Sequence, residues 1–232
     1  MSGFVFKQFK VEHDQCAMKV STDGILLGAW AKLVSGQRAL DIGTGTGLLA
    51  LMCKQRAANL VITAVEIDEP AYIQAKQNIA NSPWPDIALF HQSIQNFAAD
   101  ELFDVVISNP PYFNNSLKGD DTARNAARHT DGLSFSQLIA AFKRLTHHAA
   151  LFNLILPSSE AQLFIAQASA QGLYLQHLCL VQTKKTKPAT RSLMCFGYQE
   201  VDCNPQHLII HNEDGQYSDD FVKLCKDFYL KM

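Results

Sequence analysis

The chain has no Cys-x-x-Cys pair, no lysine in its glycine-rich loop, no apolar run of membrane-spanning length and almost no net charge. Each absence removes a class of function. Six cysteines, at 16, 53, 179, 195, 203 and 225, are scattered, and Cys53 falls inside an apolar helical pattern, so they read as reduced structural thiols and no metal ligand set is expected. With neither a secretory apolar core at the start nor a bilayer-length run, a cytoplasmic protein is expected. A formal net charge of -2 gives no global pull toward a polyanion, so any nucleic acid must be met by local basic patches. The loop Gly43-Thr44-Gly45-Thr46-Gly47 lacks the phosphate-binding lysine of a P-loop, and Leu48 stands where a dinucleotide site needs its third glycine. Repeats and low-complexity tracts are missing too. At 232 residues the chain has room for one good core. A single domain is expected, with an N-terminal arm and capping helix over 1–34 and a catalytic core over 35–232, favouring a monomer.

What is present centres on Asn109-Pro110-Pro111-Tyr112, directly after the apolar run 103–108. That run reads as a buried strand, so the tetrapeptide belongs at the sheet edge where open α/β sheets bind ligands. Two prolines fix two φ angles, remove two donors and push Asn109 out of the helical region, leaving a stiff arm rich in acceptors. Such an array suits an NH₂ group conjugated to a ring or carbonyl, whose delocalised lone pair must be held and polarised before it attacks. The Asn109 side-chain oxygen and the Pro110 carbonyl can each accept one N–H, and Tyr112 offers a face for an unstacked base. An ordinary Asn-Pro turn is the competing reading.

The rest of the chain alternates strand and helix, which predicts a doubly wound α/β fold. Residues 1–21 read as an amphipathic strand or arm, and Thr22 or Asp23 can cap a helix near a cofactor. A strand over 38–43 leads through the glycine loop into a helix at Leu48–Arg56. The strand 60–65 ends at Glu66, placed to accept both ribose hydroxyls of a nucleoside cofactor. A helix over 69–81 and a short strand over 87–90 follow, and Ser93 occupies a position suited to the cofactor's adenine. The polar segment 113–133 carries Lys118, Arg124, Arg128 and His129, offset by Asp120, Asp121 and Asp131, and its length suits closure over a substrate. Helices over 134–148 and 158–171 alternate with strands over 149–157, 173–181 and 192–199, the last antiparallel. Between the last two strands, Lys184, Lys185, Lys187 and Arg191 fall in eight residues without an acid, a phosphate grip or a solubilising hairpin tip. An edge strand at 208–210 and a helix over 218–230 end the chain.

Asn-Pro-Pro-Tyr resembles the catalytic motif of amino-methyltransferases acting on adenine N6, cytosine N4 or glutamine side chains. The run from Phe6 to Trp30, with Asp41-Ile42-Gly43-Thr44-Gly45-Thr46-Gly47, Glu66-Ile67-Asp68, Asn109-Pro110-Pro111-Tyr112 and Arg128-His129, is similar to the bacterial tRNA1(Val) adenine-N6 methyltransferase family over most of the chain. That resemblance implies a Rossmann-like class I methyltransferase fold with a seven-stranded, mostly parallel sheet and an antiparallel strand near the C-terminus. It implies transfer of methyl from S-adenosylmethionine to N6 of the adenine 3′ of the anticodon in a valine tRNA. Expected cofactor contacts are Asp23, Asp41, Gly43, Thr44, Gly45, Glu66, Ile67, Ser93 and Asn109. A protein glutamine methyltransferase, adenine methylation of another RNA or DNA, and a binding module without turnover remain alternatives at this point.

Overall fold

The computed structural model describes residues 3–16, 18–33, 36–111 and 133–232. Its strands are β1 (Gly3–Val5), β2 (Lys10–Glu12), β3 (Arg38–Ile42), β4 (Val61–Glu66), β5 (Ala88–His91), β6 (Phe103–Ser108), β7 (Thr146–Pro157), β8 (Tyr174–Lys184), β9 (Arg191–Gly197) and β10 (Gln206–His211). The described helices are α1 (Thr22–Trp30), α2 (Leu48–Arg56), α3 (Glu69–Ala80), α4 (Phe135–Leu145), α5 (Ser158–Ser169) and α6 (Asp219–Cys225).

β1 and β2 form a separate antiparallel pair, and the other eight strands form one sheet in the order β10-β8-β9-β7-β6-β3-β4-β5. Within it β9 runs antiparallel to both neighbours, and the remaining pairings are parallel. The sheet therefore has eight strands where seven were expected. The extra one is β10, where Leu208 and Ile210 bury against the core and the backbone pairs with β8 from Gln206↔Cys179 to His211↔Lys184. Burying that apolar pair converts the short run at 208–210 into a full edge strand.

Alternation along the strands builds two cores. Val105 and Ile107 of β6 join the layer holding Leu27, Leu51 and Phe221, whereas Val106 joins the layer of Phe142, Phe152 and Phe164. Thus α1, α2 and α6 cover one face and α4 and α5 the other. Two helices stop earlier than periodicity suggests. α4, opened by a capping box between Ser134 and Gln137, ends at Leu145 because Thr146 turns extended and its hydroxyl bonds back to the Phe142 carbonyl at 2.7 Å. β7 then takes up His147 and His148. α6 ends at Cys225, after which a turn brings Phe228 and Tyr229 onto the N-terminal hairpin through Lys7 N–H to Phe228 O and the Phe6↔Tyr229 bridge.

Register settles which ends meet. Pro157 lies opposite Arg191, Arg191 opposite Val181, and Lys184 opposite His211. The ends of β3, β4, β6, β7, β8 and β10 and the start of β9 consequently share one edge, the carboxyl edge of the parallel strands.

Candidate active site

The glycine loop leaves β3 at that edge. Gly43, Gly45 and Gly47 have φ of 68°, 57° and 83°, in the left-handed region that favours glycine. Gly43 and Thr44 donate their N–H groups to the Val65 carbonyl, which lashes the loop to β4. Beneath it Asp41, fully buried, accepts the Thr44 hydroxyl at 2.6 Å and the Ala50 N–H at 3.2 Å on one oxygen, so it pins the loop to the first turn of α2. Its other oxygen has no hydrogen-bond partner among the described residues. Burial pushes this carboxyl up to about 7, against the Thr44 and Ala50 bonds, with Glu66 adding to the rise.

Glu66 sits at the end of β4. One carboxylate oxygen accepts Gly45 N–H at 2.8 Å; the other accepts Ile67 and Asp68 N–H at 2.8 and 2.9 Å. Of roughly four lone-pair sites on a carboxylate, three are thus engaged. The fourth has no partner among the described residues, and Glu66 lines the cavity described below.

At the end of β6 the Ser108 hydroxyl donates to the Ile42 carbonyl at 2.9 Å, tying the Asn-Pro-Pro stretch to the base of the glycine loop. Asn109 is half-buried, Pro110 buried and Pro111 exposed. The Asn109 amide nitrogen lies 3.9 Å from the Met18 sulfur, a weak donor contact that turns the nitrogen toward the arm.

These elements surround a cavity of about 330 Å³, lined by Gly43, Gly45, Glu66, Ile67, Ser93, Asn109, Pro110 and Pro111 among others. Ile67 is 63% exposed, an apolar side chain offered to a flat ligand. A Cβ built on Gly43 would meet nothing within 4 Å, so the loop stands beside open space there. S-adenosylmethionine fits this lining: Glu66 presents a carboxylate acceptor suited to the ribose, and Ile67 and Ser93 present an apolar face and a hydroxyl suited to the adenine.

Several sequence expectations need correction or placement. Asp23 does not line this cavity; its carboxylate accepts Arg191 Nε–H at 2.7 Å, and both residues line a second cavity. Asp41 and Thr44 shape the loop from below and do not line the cavity either. Lys184, Lys185 and Lys187 are exposed on the β8–β9 hairpin, at the same sheet edge. Tyr112, Lys118, Arg124, Arg128 and His129 lie outside the described residues.

Sequence reasoning missed Cys16 and Met18, which wall the cavity from the arm. The arm is clipped down by Asn78, whose amide accepts Glu12 N–H and donates to the Glu12 and Thr46 carbonyls, each at 2.9 Å, and by Gln74, which accepts Gln15 N–H at 3.1 Å. A signal existed: Gln74 and Asn78 are buried polar residues on the Ala71, Ala75, Ile79 stripe of α3.

Residues 22–130 match the family model for a methyltransferase small domain. Over its full length the chain is 60% identical to the tRNA1(Val) (adenine(37)-N6)-methyltransferase of Pseudoalteromonas translucida, covering all of both chains. It is 46% identical to the protein of the same name from Phocaeicola vulgatus, over 99% of this chain and 98% of that one. Among solved structures, a predicted O-methyltransferase from Agrobacterium tumefaciens superimposes with a TM-score of 0.70 at 19% identity, over 89% of this chain and 96% of that one. The ribosomal protein L11 methylase of Lactobacillus delbrueckii gives 0.56 at 15% identity, over 77% of each chain. At such identities the structural matches establish the fold.

Proposed function

The chain belongs to the tRNA1(Val) (adenine(37)-N6)-methyltransferase family, and we infer from that membership that it methylates the exocyclic N6 of adenine 37 in tRNA1(Val). The observation that carries the reading at residue level is Asn109 lining the same cavity as Gly43, Glu66 and Ser93.

S-adenosylmethionine, when bound, supplies an electrophilic methyl group. The protein's task is to make a poor nucleophile attack it. Adenine N6 has its lone pair delocalised into the ring; the Asn109 side-chain oxygen and the Pro110 carbonyl each accept one of its N–H bonds, which holds the nitrogen and favours its lone pair turning out of conjugation. Pro110 and Pro111 keep that elbow from relaxing. Tyr112 is the stacking platform for the flipped base in this reading. After the new N–C bond forms, the nitrogen is strongly acidic and loses its proton without a dedicated base.

Glu66 takes a ribose hydroxyl, Ile67 and Ser93 hold the cofactor's adenine, and the Gly43–Gly45 backbone lies along the amino-acid end. Lys184, Lys185 and Lys187 grip RNA phosphates beside the site. That exposed basic hairpin at the catalytic edge favours a polyanion over a protein loop as substrate.

The test is transfer of labelled methyl by the purified enzyme to tRNA, DNA and protein extract side by side, followed by nucleoside mass spectrometry of valine tRNA. Label in N6-methyladenosine at position 37 is expected. Label confined to glutamine or DNA would contradict the reading.

A further inference from the structure

A second cavity, of about 270 Å³, lies at the same sheet edge, with Thr22, Asp23, Arg191, His211, Tyr217 and Tyr229 in its wall. Nothing in the methyl-transfer site uses it. The register places it: Arg191 begins β9 and His211 ends β10, two and four strand positions from β6 at the edge that carries Asn109. At ~4.8 Å per strand that is roughly 10–20 Å from the elbow, a few nucleotides of extended chain.

The wall has aromatic and hydrogen-bonding parts. His211 stacks on Tyr217 with centroids 5.1 Å apart and planes at 28°, and Tyr217 leans on Phe221 at 4.8 Å. Tyr217 is nevertheless 40% exposed. Asp23 and Arg191, paired at 2.7 Å, add a carboxylate acceptor and guanidinium donors.

Charges of both signs follow the strands that end at this cavity. Lys184 pairs with His211 across the β8–β10 ladder, and Lys185 and Lys187 follow it on the exposed hairpin. The turn after β10 carries exposed Glu213 and Asp214. A phosphate is drawn to the lysines and repelled by the acids, which favours a nucleotide lying base inward with its backbone along the lysines.

We propose that this cavity is a second nucleotide subsite, taking one unpaired base of the RNA strand that presents the target adenine. The base lies against the His211–Tyr217 wall, its edge meets the Asp23–Arg191 pair, and its phosphates follow the 184–187 hairpin. The proposal rests on the tRNA reading above and adds a way to set the register of the loop, so that one adenine is delivered to Asn109.

The experiment uses the full-length enzyme and an anticodon stem-loop carrying a single 5-iodouridine at each loop position in turn. One position is expected to photocrosslink to the 206–217 or 226–232 peptide; crosslinks found only elsewhere overturn the subsite. In steady state, Tyr217→Ala should raise the KM for the stem-loop about 5- to 100-fold, as loss of one stacked base does. The kcat and S-adenosylmethionine affinity should stay put, and Tyr217→Phe should behave as wild type. An abasic substitution at the crosslinked position should cost the wild type as much and Tyr217→Ala nothing more. An enzyme that methylates the stem-loop but is indifferent to both changes sinks the subsite alone, whereas a wild-type enzyme inactive on valine tRNA sinks the tRNA reading.

Discussion

Asp41 is a carboxyl held far from its ordinary state by burial. Its folded-state value near 7 stands above the usual 3.8, so the folded chain holds the proton more tightly than the unfolded one. The stabilisation from that proton is complete below about pH 4 and is lost as pH rises toward 7. The ligand-free enzyme should therefore show a falling thermal midpoint across that window, and Asp41→Asn should flatten the fall; parallel slopes for the two proteins would refute the assignment. Gly43→Ala probes the loop differently. The new methyl meets no atom within 4 Å, but φ is 68°, so a left-handed alanine costs about 1–2 kcal/mol and projects into the open space of the cavity. Calorimetric titration should show weaker S-adenosylmethionine binding with the fold intact; unchanged affinity would place the cofactor elsewhere. The glycines, Glu66 and Asn109 were legible in the sequence because local chemistry dictates them. The place of Asp23 in the second cavity is not legible locally, because its partner, Arg191, is 168 residues away and no local pattern announces it.

Among elements, the arm and the β8–β9 hairpin define the site's flanks. The arm is held against the cavity by Gln74 and by Asn78, 3% exposed, which satisfies both backbone groups of Glu12 and the Thr46 carbonyl. Asn78→Ala strands the buried Thr46 carbonyl, at a cost of about 1–3 kcal/mol, and removes the partner of the part-buried Glu12 backbone. The variant should unfold at lower denaturant and bind S-adenosylmethionine less tightly, since Cys16 and Met18 no longer wall the cavity; a stability loss without an affinity change would show that the arm is only structural. On the opposite flank, charge reversal of Lys184, Lys185 and Lys187 should weaken tRNA binding and lower the salt slope by up to ~0.9 per lost phosphate contact on duplex stem and less on single strand. An unaltered slope would move the footprint away from the hairpin. Strand and helix identities were readable from apolar runs, yet α4 and α6 ended early because Thr146 and the N-terminal hairpin compete for the chain. β10 grew beyond three residues since pairing with β8 satisfies its backbone, a gain invisible in its own short apolar run.

For the whole molecule, topology does the assembling. A mostly parallel sheet with one reversed strand brings the glycine loop, Glu66, Asn109, the basic hairpin and the His211–Tyr217 cavity to one edge, although they span residues 43 to 217. A net charge of -2 is compatible with an RNA substrate because Lys184, Lys185 and Lys187 form a local basic cluster on the exposed hairpin at that edge. In the proposed mechanism, function at this scale depends on one acceptor array holding an exocyclic amine where cofactor and RNA converge. The most direct measurement is single-turnover methylation of valine tRNA by Asn109→Ala, with S-adenosylmethionine and tRNA binding determined on the same preparation. The expected result is a rate lower by roughly 10²- to 10³-fold, as for loss of one preorganised hydrogen-bonding group, with tRNA bound as in wild type and the cofactor within a few-fold. A wild-type rate with intact binding would contradict the account.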